Sequence, residues 1–123
     1  MDLLTFVRSG AHRAHIEAGH IRAYMRNTVR FIEGKHRQSL EIGSVELPPI
    51  YQRKGRFSRW LAVVEQIALD YRFDVTYVEC VHNPHLVRYL LKCGYTHADA
   101  LNPPNLYKLV PQRSHDETRT LPE

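Results

Sequence analysis

Cysteine is scarce in this chain of 123 residues: there are two, Cys80 and Cys93. No disulfide framework can hold such a chain together, and one bridge would add little in a reducing compartment, so both are expected to be free, buried thiols. No apolar run approaches the length that crosses a bilayer. The opening MDLLTFVRSG has no basic stretch ahead of its short apolar run, which argues against a signal peptide and for a cytoplasmic location with no membrane partner. There is no internal repeat, no G-x-x-x-x-G-K-S/T phosphate loop and no G-x-G-x-x-G dinucleotide fingerprint. Eight histidines are present, but the C-x-H-x-x-H spacing of Cys80, His82 and His85 matches no recurrent zinc site, so no metal is expected.

With 43% hydrophobic and 24% charged residues, the chain reads as one soluble globular domain over residues 1–110. Residues 111–123, PQRSHDETRTLPE, read as a polar, disordered tail. A net charge of +4 and a pI near 9.3 favour an acidic ligand. The basic residues are dispersed and follow no RNA-binding or helix-turn-helix pattern, so nucleic acid is not the expected partner.

The stretch from Ser39 to Tyr71 organises the chain: a strand, a Pro-Pro step, a short basic loop around Gly55, then an amphipathic helix. Where a loop turns directly into a helix, unpaired N–H groups and the helix dipole together attract an anion. Gly55 lets the backbone approach a phosphate, Ser58 is placed to cap the helix, and Arg53, Lys54, Arg56 and Arg59 surround the site with charge. A pyrophosphate suits this loop.

Residues 2–8 read as a first strand and 11–18 as two helical turns stopped by Gly19. Near-alternation from His20 to Ile32 predicts a strand with a break around Asn27. The turn Glu33-Gly34-Lys35 joins it to a second strand over 37–47, making a hairpin. Residues 74–81 form the next strand, reached through a right-handed crossover and so parallel to its neighbour. Asn83-Pro84 opens another helix that Gly94 closes, Tyr95 starts a strand, and LYKLV is the last strand, whose edge is free to pair with a second copy in a homodimer.

Two segments resemble the recurrent motifs of the GNAT acyltransferase superfamily. Gln52, Arg53, Lys54, Gly55, Arg56 and Phe57 fall on its coenzyme A loop, Gln/Arg-x-x-Gly-x-Gly/Ala, after an apolar-x-Pro-x-Tyr lead-in at Leu47–Tyr51. Asn83, Lys92, Gly94 and Tyr95 fall in register on the family's Asn-x-x-Ala-x-x-Leu-Tyr-x-Lys-x-Gly-Phe helix. The resemblance covers residues 37–110. It implies an α/β fold with a mixed, mostly antiparallel sheet, one parallel pair splayed at the acyl-coenzyme A site and helices on both faces. It further implies acetyl-coenzyme A as co-substrate and a primary amine as acceptor. Gln52, Arg53, Lys54, Gly55, Arg56, Phe57, Ser58 and Asn83 would contact the coenzyme, and backbone N–H near Leu47 would hold the thioester carbonyl. Phe57 departs from the family's small residue, and the family's proton-donating tyrosine falls at Leu90. Its neighbour Tyr89 points elsewhere on a helix and reads as a packing or rim aromatic.

Acyl transfer to an amine needs a group to take the amine proton, and a carboxylate in a partly desolvated cleft does this. Two stand in place. Glu41 lies eleven residues before Gln52, and Glu79 lies on the parallel strand four residues before Asn83. Either serves as base, and Glu41 is equally readable as a solvent-facing residue of the hairpin. The acceptor is open between a small amine, an aminoglycoside-like compound, a peptide N-terminus and a protein lysine. The competing reading is a non-catalytic GNAT-fold protein that grips and modulates another protein, as compact members encoded by bacteriophages do.

Overall fold

The computed structural model describes residues 1–48, 52 and 55–111. In chain order the elements are α1 (Leu3–Ser9), β1 (Arg13–Ala18), β2 (Ile21–Ile32), β3 (Lys35–Glu46), α2 (Arg56–Asp70), β4 (Val75–Val78), α3 (Pro84–Lys92), β5 (Thr96–His97) and β6 (Leu106–Leu109). They build one six-stranded sheet in the order β1-β2-β3-β4-β6-β5. Only β3 and β4 run parallel, as a crossover through α2 requires; every other pairing is antiparallel. The mixed sheet with a single parallel pair, flanked by helices, is the expected α/β architecture.

The first two elements exchange types relative to expectation. Asp2 accepts from the Thr5 N–H at 2.8 Å and caps a helix. Leu3, Phe6 and Val7, at helical spacing, are buried. Residues 13–18 instead alternate and pair with β2, Ala14 opposite Met25 and Ile16 opposite Ala23. Phe6 of α1, Leu61 and Val64 of α2 and Leu90 of α3 all join one buried cluster with Ile16, Met25, Leu40, Ile42 and Leu106. The expected flanking of the sheet by helices is met, with the three described helices all packing into this one cluster. The last strand, expected at an edge, lies between β4 and β5, because β5 pairs with its outer side, Thr96 opposite Tyr107 and His97 opposite Leu106. Cys80 is exposed and Cys93 half-buried, both free, where buried thiols were expected. The tail lies outside the described residues from 112 onward.

Two local features open the sheet. The β2–β3 register slips between Tyr24 and Met25, whose partners are Ser44 and Ile42, so Gly43 is an extra residue in β3. A Cβ on Gly43 would sit 2.8 Å from Tyr24 Cδ2, which is why glycine suits the bulge. The break expected at Asn27 is absent, and Asn27 pairs with Leu40. Beyond Ile42 and Val78 the parallel ladder ends with one bond, from the Glu79 N–H to the Ile42 carbonyl at 2.9 Å. Cys80 then takes a positive φ of 52° and donates its N–H to Asn105 Oδ1 at 2.8 Å. The chain turns away from β3, which runs on to Glu46, and the two strands part.

Candidate functional site

On the helix face, beside that parting, lies a cleft of about 620 Å³ with mainly apolar walls. The end of β3 supplies Val45 and Leu47, the first turn of α2 supplies Arg56, Phe57 and Ser58, and α3 supplies Leu86 and Tyr89. Gln52 donates Nε2–H to the Leu47 carbonyl at 2.8 Å, tying the loop to the strand it leaves. Gly55, at φ 75°, is the N-cap of α2, and no side chain caps the helix. Ser58 was expected to cap, but it lies inside the first turn and its hydroxyl donates to the Gly55 carbonyl at 3.0 Å. A helix that begins without a side-chain cap leaves its first N–H groups available to an anion. A Cβ on Gly55 would come within 2.9 Å of Arg59 Nη1, in a backbone conformation that L-residues rarely adopt.

Of the residues expected at a coenzyme site, the cleft brings together Leu47, Gln52, Gly55, Arg56, Phe57, Ser58 and Asn83. Arg53 and Lys54 lie outside the described residues. Asn83 caps α3, its Oδ1 accepting from the His85 N–H at 2.8 Å, which leaves its amide N–H₂ for other partners. Tyr89 lines the cleft, its ring 6.4 Å from that of Phe57, while Leu90 is wholly buried. Burial raises the Tyr89 phenol above its usual range, and a bond with Cys93 adds to this while Ser58 opposes it. Sequence reading assigned Tyr89 to packing or the rim. Its spacing of three and four residues from Leu86 and His85, both in the cleft wall, is the signal that places it on this helix face.

The opposite face carries a second cavity, of about 590 Å³ and strongly polar, walled by Arg26, Arg30, Glu41, Tyr77, Glu79 and Asp99. Arg26 is directly opposite Glu41, and Glu41 opposite Tyr77, so the strand register assembles this wall. Glu41 is wholly buried, not solvent-facing. Its carboxylate accepts from Arg30 through both Nε and Nη2, the latter at 3.0 Å, and from Arg26 Nη2 at 3.2 Å. Arg26 Nη2 also donates to Glu79, and Arg30 Nη2 stands 3.8 Å from the other Glu79 oxygen. Bonding to Glu41 holds the Arg30 guanidinium above its already high pKa, against the opposing effect of burial. The same guanidinium lies 4.0 Å over the Tyr77 ring. Burial is also what raises the Tyr77 phenol. Sequence reading missed both arginines.

Among the described residues no helix is long and apolar enough to cross a membrane, and no three His, Cys, Asp or Glu side chains gather as a metal site would need.

A sheet that parts at its one parallel pair, with an uncapped helix start on one side of the parting, defines the GNAT fold. Solved structures agree. A point mutant of KacT matches over 88% of this chain and 77% of its own, with TM-score 0.63 at 12% identity. The PaiA N-acetyltransferase of Thermoplasma acidophilum, in complex with coenzyme A, matches over 86% and 66%, with TM-score 0.62 at 15% identity. AtaT complexed with acetyl-methionyl-tRNAfMet matches over 87% and 76%, with TM-score 0.59 at 14% identity. At such identities the likeness is one of fold. No protein-family model and no curated sequence matches the chain.

Proposed function

We propose that this chain is an N-acetyltransferase that moves an acetyl group from acetyl-coenzyme A to a primary amine. One observation carries the reading: the apolar cleft and the charged cavity lie on opposite faces of the sheet, and both reach the point where β3 and β4 part, the cleft through Val45 and Leu47 and the cavity through Glu79. The first turn of α2 would hold the pyrophosphate, with Gly55 allowing the close approach. The walls from Leu47 to Tyr89 would take the pantetheine arm, and backbone N–H near Leu47 would polarise the thioester carbonyl.

The acceptor would enter from the charged face. Its nitrogen gives a proton to a carboxylate, attacks the carbonyl carbon, and the carbon–sulfur bond breaks as the tetrahedral intermediate collapses. Between the two carboxylates, Glu79 suits the base. Its side chain is 28% exposed and that of Glu41 is 0%. Glu41 already accepts three bonds from two guanidiniums, so a new proton would have to displace one of them. The departing thiolate takes a proton on the cleft side, where Tyr89 offers a neutral phenol.

The test is thiol release from acetyl-coenzyme A with a panel of acceptors: a small primary amine, an aminoglycoside, a peptide with a free N-terminus, a lysine peptide and an aminoacyl-tRNA. The last is included because the AtaT neighbour is bound to an acetylated one. Acceptor-dependent thiol release supports the enzyme. Acetyl-coenzyme A binding without turnover on any acceptor contradicts it and favours a protein that only grips a partner.

A further inference from the structure

Glu41 has no part in the transfer steps above, yet it is the one buried charged side chain among the described residues. A carboxylate withdrawn from water is strongly destabilising unless it is paired, so its two guanidinium partners are structural necessities for the sheet. Those partners are not confined to Glu41. Arg30 commits two of its nitrogens to Glu41 and reaches Glu79 only at 3.8 Å. Arg26 uses a single nitrogen, Nη2, to bridge Glu41 and Glu79.

Glu79 needs such a tether. It follows the last residue of β4, and its neighbour Cys80 turns out of the sheet at φ 52°. Its backbone N–H is its sole bond to β3, through the Ile42 carbonyl. Nothing in the ladder fixes its carboxylate, and the guanidiniums do.

We infer that Arg26 is a positioning residue: the buried Glu41 anchors its guanidinium, and that guanidinium holds the Glu79 carboxylate beside the parting of β3 and β4. The inference rests on the reading of Glu79 as the base. Arg26 then affects the rate only through Glu79, whereas a residue that merely stabilises the fold affects it whether or not Glu79 is present.

The experiment is a double-mutant cycle on the whole chain: wild type, Arg26→Gln, Glu79→Gln and the double variant, each assayed on an acceptor that the wild type turns over. Calorimetric affinity for acetyl-coenzyme A and the thermal unfolding midpoint are measured on all four. Arg26→Gln is expected to lower kcat about 10-fold or more when Glu79 is present, as a small misplacement of a reacting group does. It should lower it no further in the Glu79→Gln background and should leave acetyl-coenzyme A affinity unchanged. An equal loss in both backgrounds overturns the inference and leaves Arg26 a structural residue. Full turnover in Glu79→Gln overturns the base reading beneath it, and an inactive wild type overturns both. If Arg26→Gln does not fold, Arg26→Lys, which keeps a cation near one carboxylate, is measured in the same two backgrounds, with a loss only beside Glu79 expected.

Discussion

Glu41 and Glu79 share two arginines, but their surroundings differ. Glu41 is sealed in the sheet, and removing one partner of a buried ion pair leaves a charge without compensation. Glu41→Ala should therefore destabilise the fold by about 3 kcal/mol or more in chemical denaturation, because both guanidiniums lose their bonds to the buried carboxylate and keep only the half-exposed Glu79. Glu79→Gln should instead leave the unfolding midpoint nearly unchanged and cut kcat by about 10²-fold or more, the usual contribution of a positioned base. The neighbours on α3 divide in the same way. Leu90→Ala empties a core site and should cost about 2–5 kcal/mol. Tyr89→Phe keeps the ring beside Phe57, so it should lower turnover while stability stays within about 0.5 kcal/mol of the wild type.

At the scale of elements, the hairpin decides which side chains meet, and it was only partly legible. The turn holds two residues, Glu33 and Gly34, both at positive φ, and Ile32 pairs with Lys35. Counting from that pair puts Arg26 opposite Glu41. A turn of three residues, as the sequence suggested, puts Ile42 there and moves Glu41 opposite Asn27, so the charged cavity disappears from view. The loop–helix unit was easier, because Gly55 and the basic residues stand together in sequence and the periodicity of α2 is long. The short segments at the start were not. Seven apolar-rich residues fit a strand or a helix until Asp2 is seen to cap, and 11–18 reads as a helix until β2 offers it a partner. Asn83 was recognisable as a cap before proline, and Asn83→Ala should cost about 1 kcal/mol, read as a lower unfolding midpoint.

At the scale of the molecule, the described helices pack into one cluster, and the charged cavity stands open on the other side of the sheet. The core beneath the helices also sets the response to alkali. Burial, reinforced by a 2.7 Å bond to Glu65, raises the Tyr95 phenol far above its usual value. The folded state therefore keeps a proton that the unfolded chain loses. Stability from this residue is complete below the unfolded tyrosine pKa of about 10 and declines as pH rises past it. Tyr95→Phe, which retains the ring, should flatten the alkaline fall of the unfolding midpoint.

The account as a whole stands on the cleft at the start of α2, so the most direct measurement is calorimetric titration of the protein with acetyl-coenzyme A, alongside ATP and a Gly55→Glu variant. The account predicts micromolar binding of acetyl-coenzyme A by the wild type, much weaker binding of ATP, and no binding by the variant, whose side chain sets a negative charge at the phosphate position in a strained backbone. Absence of binding by the wild type, or equal binding by the variant, would contradict it.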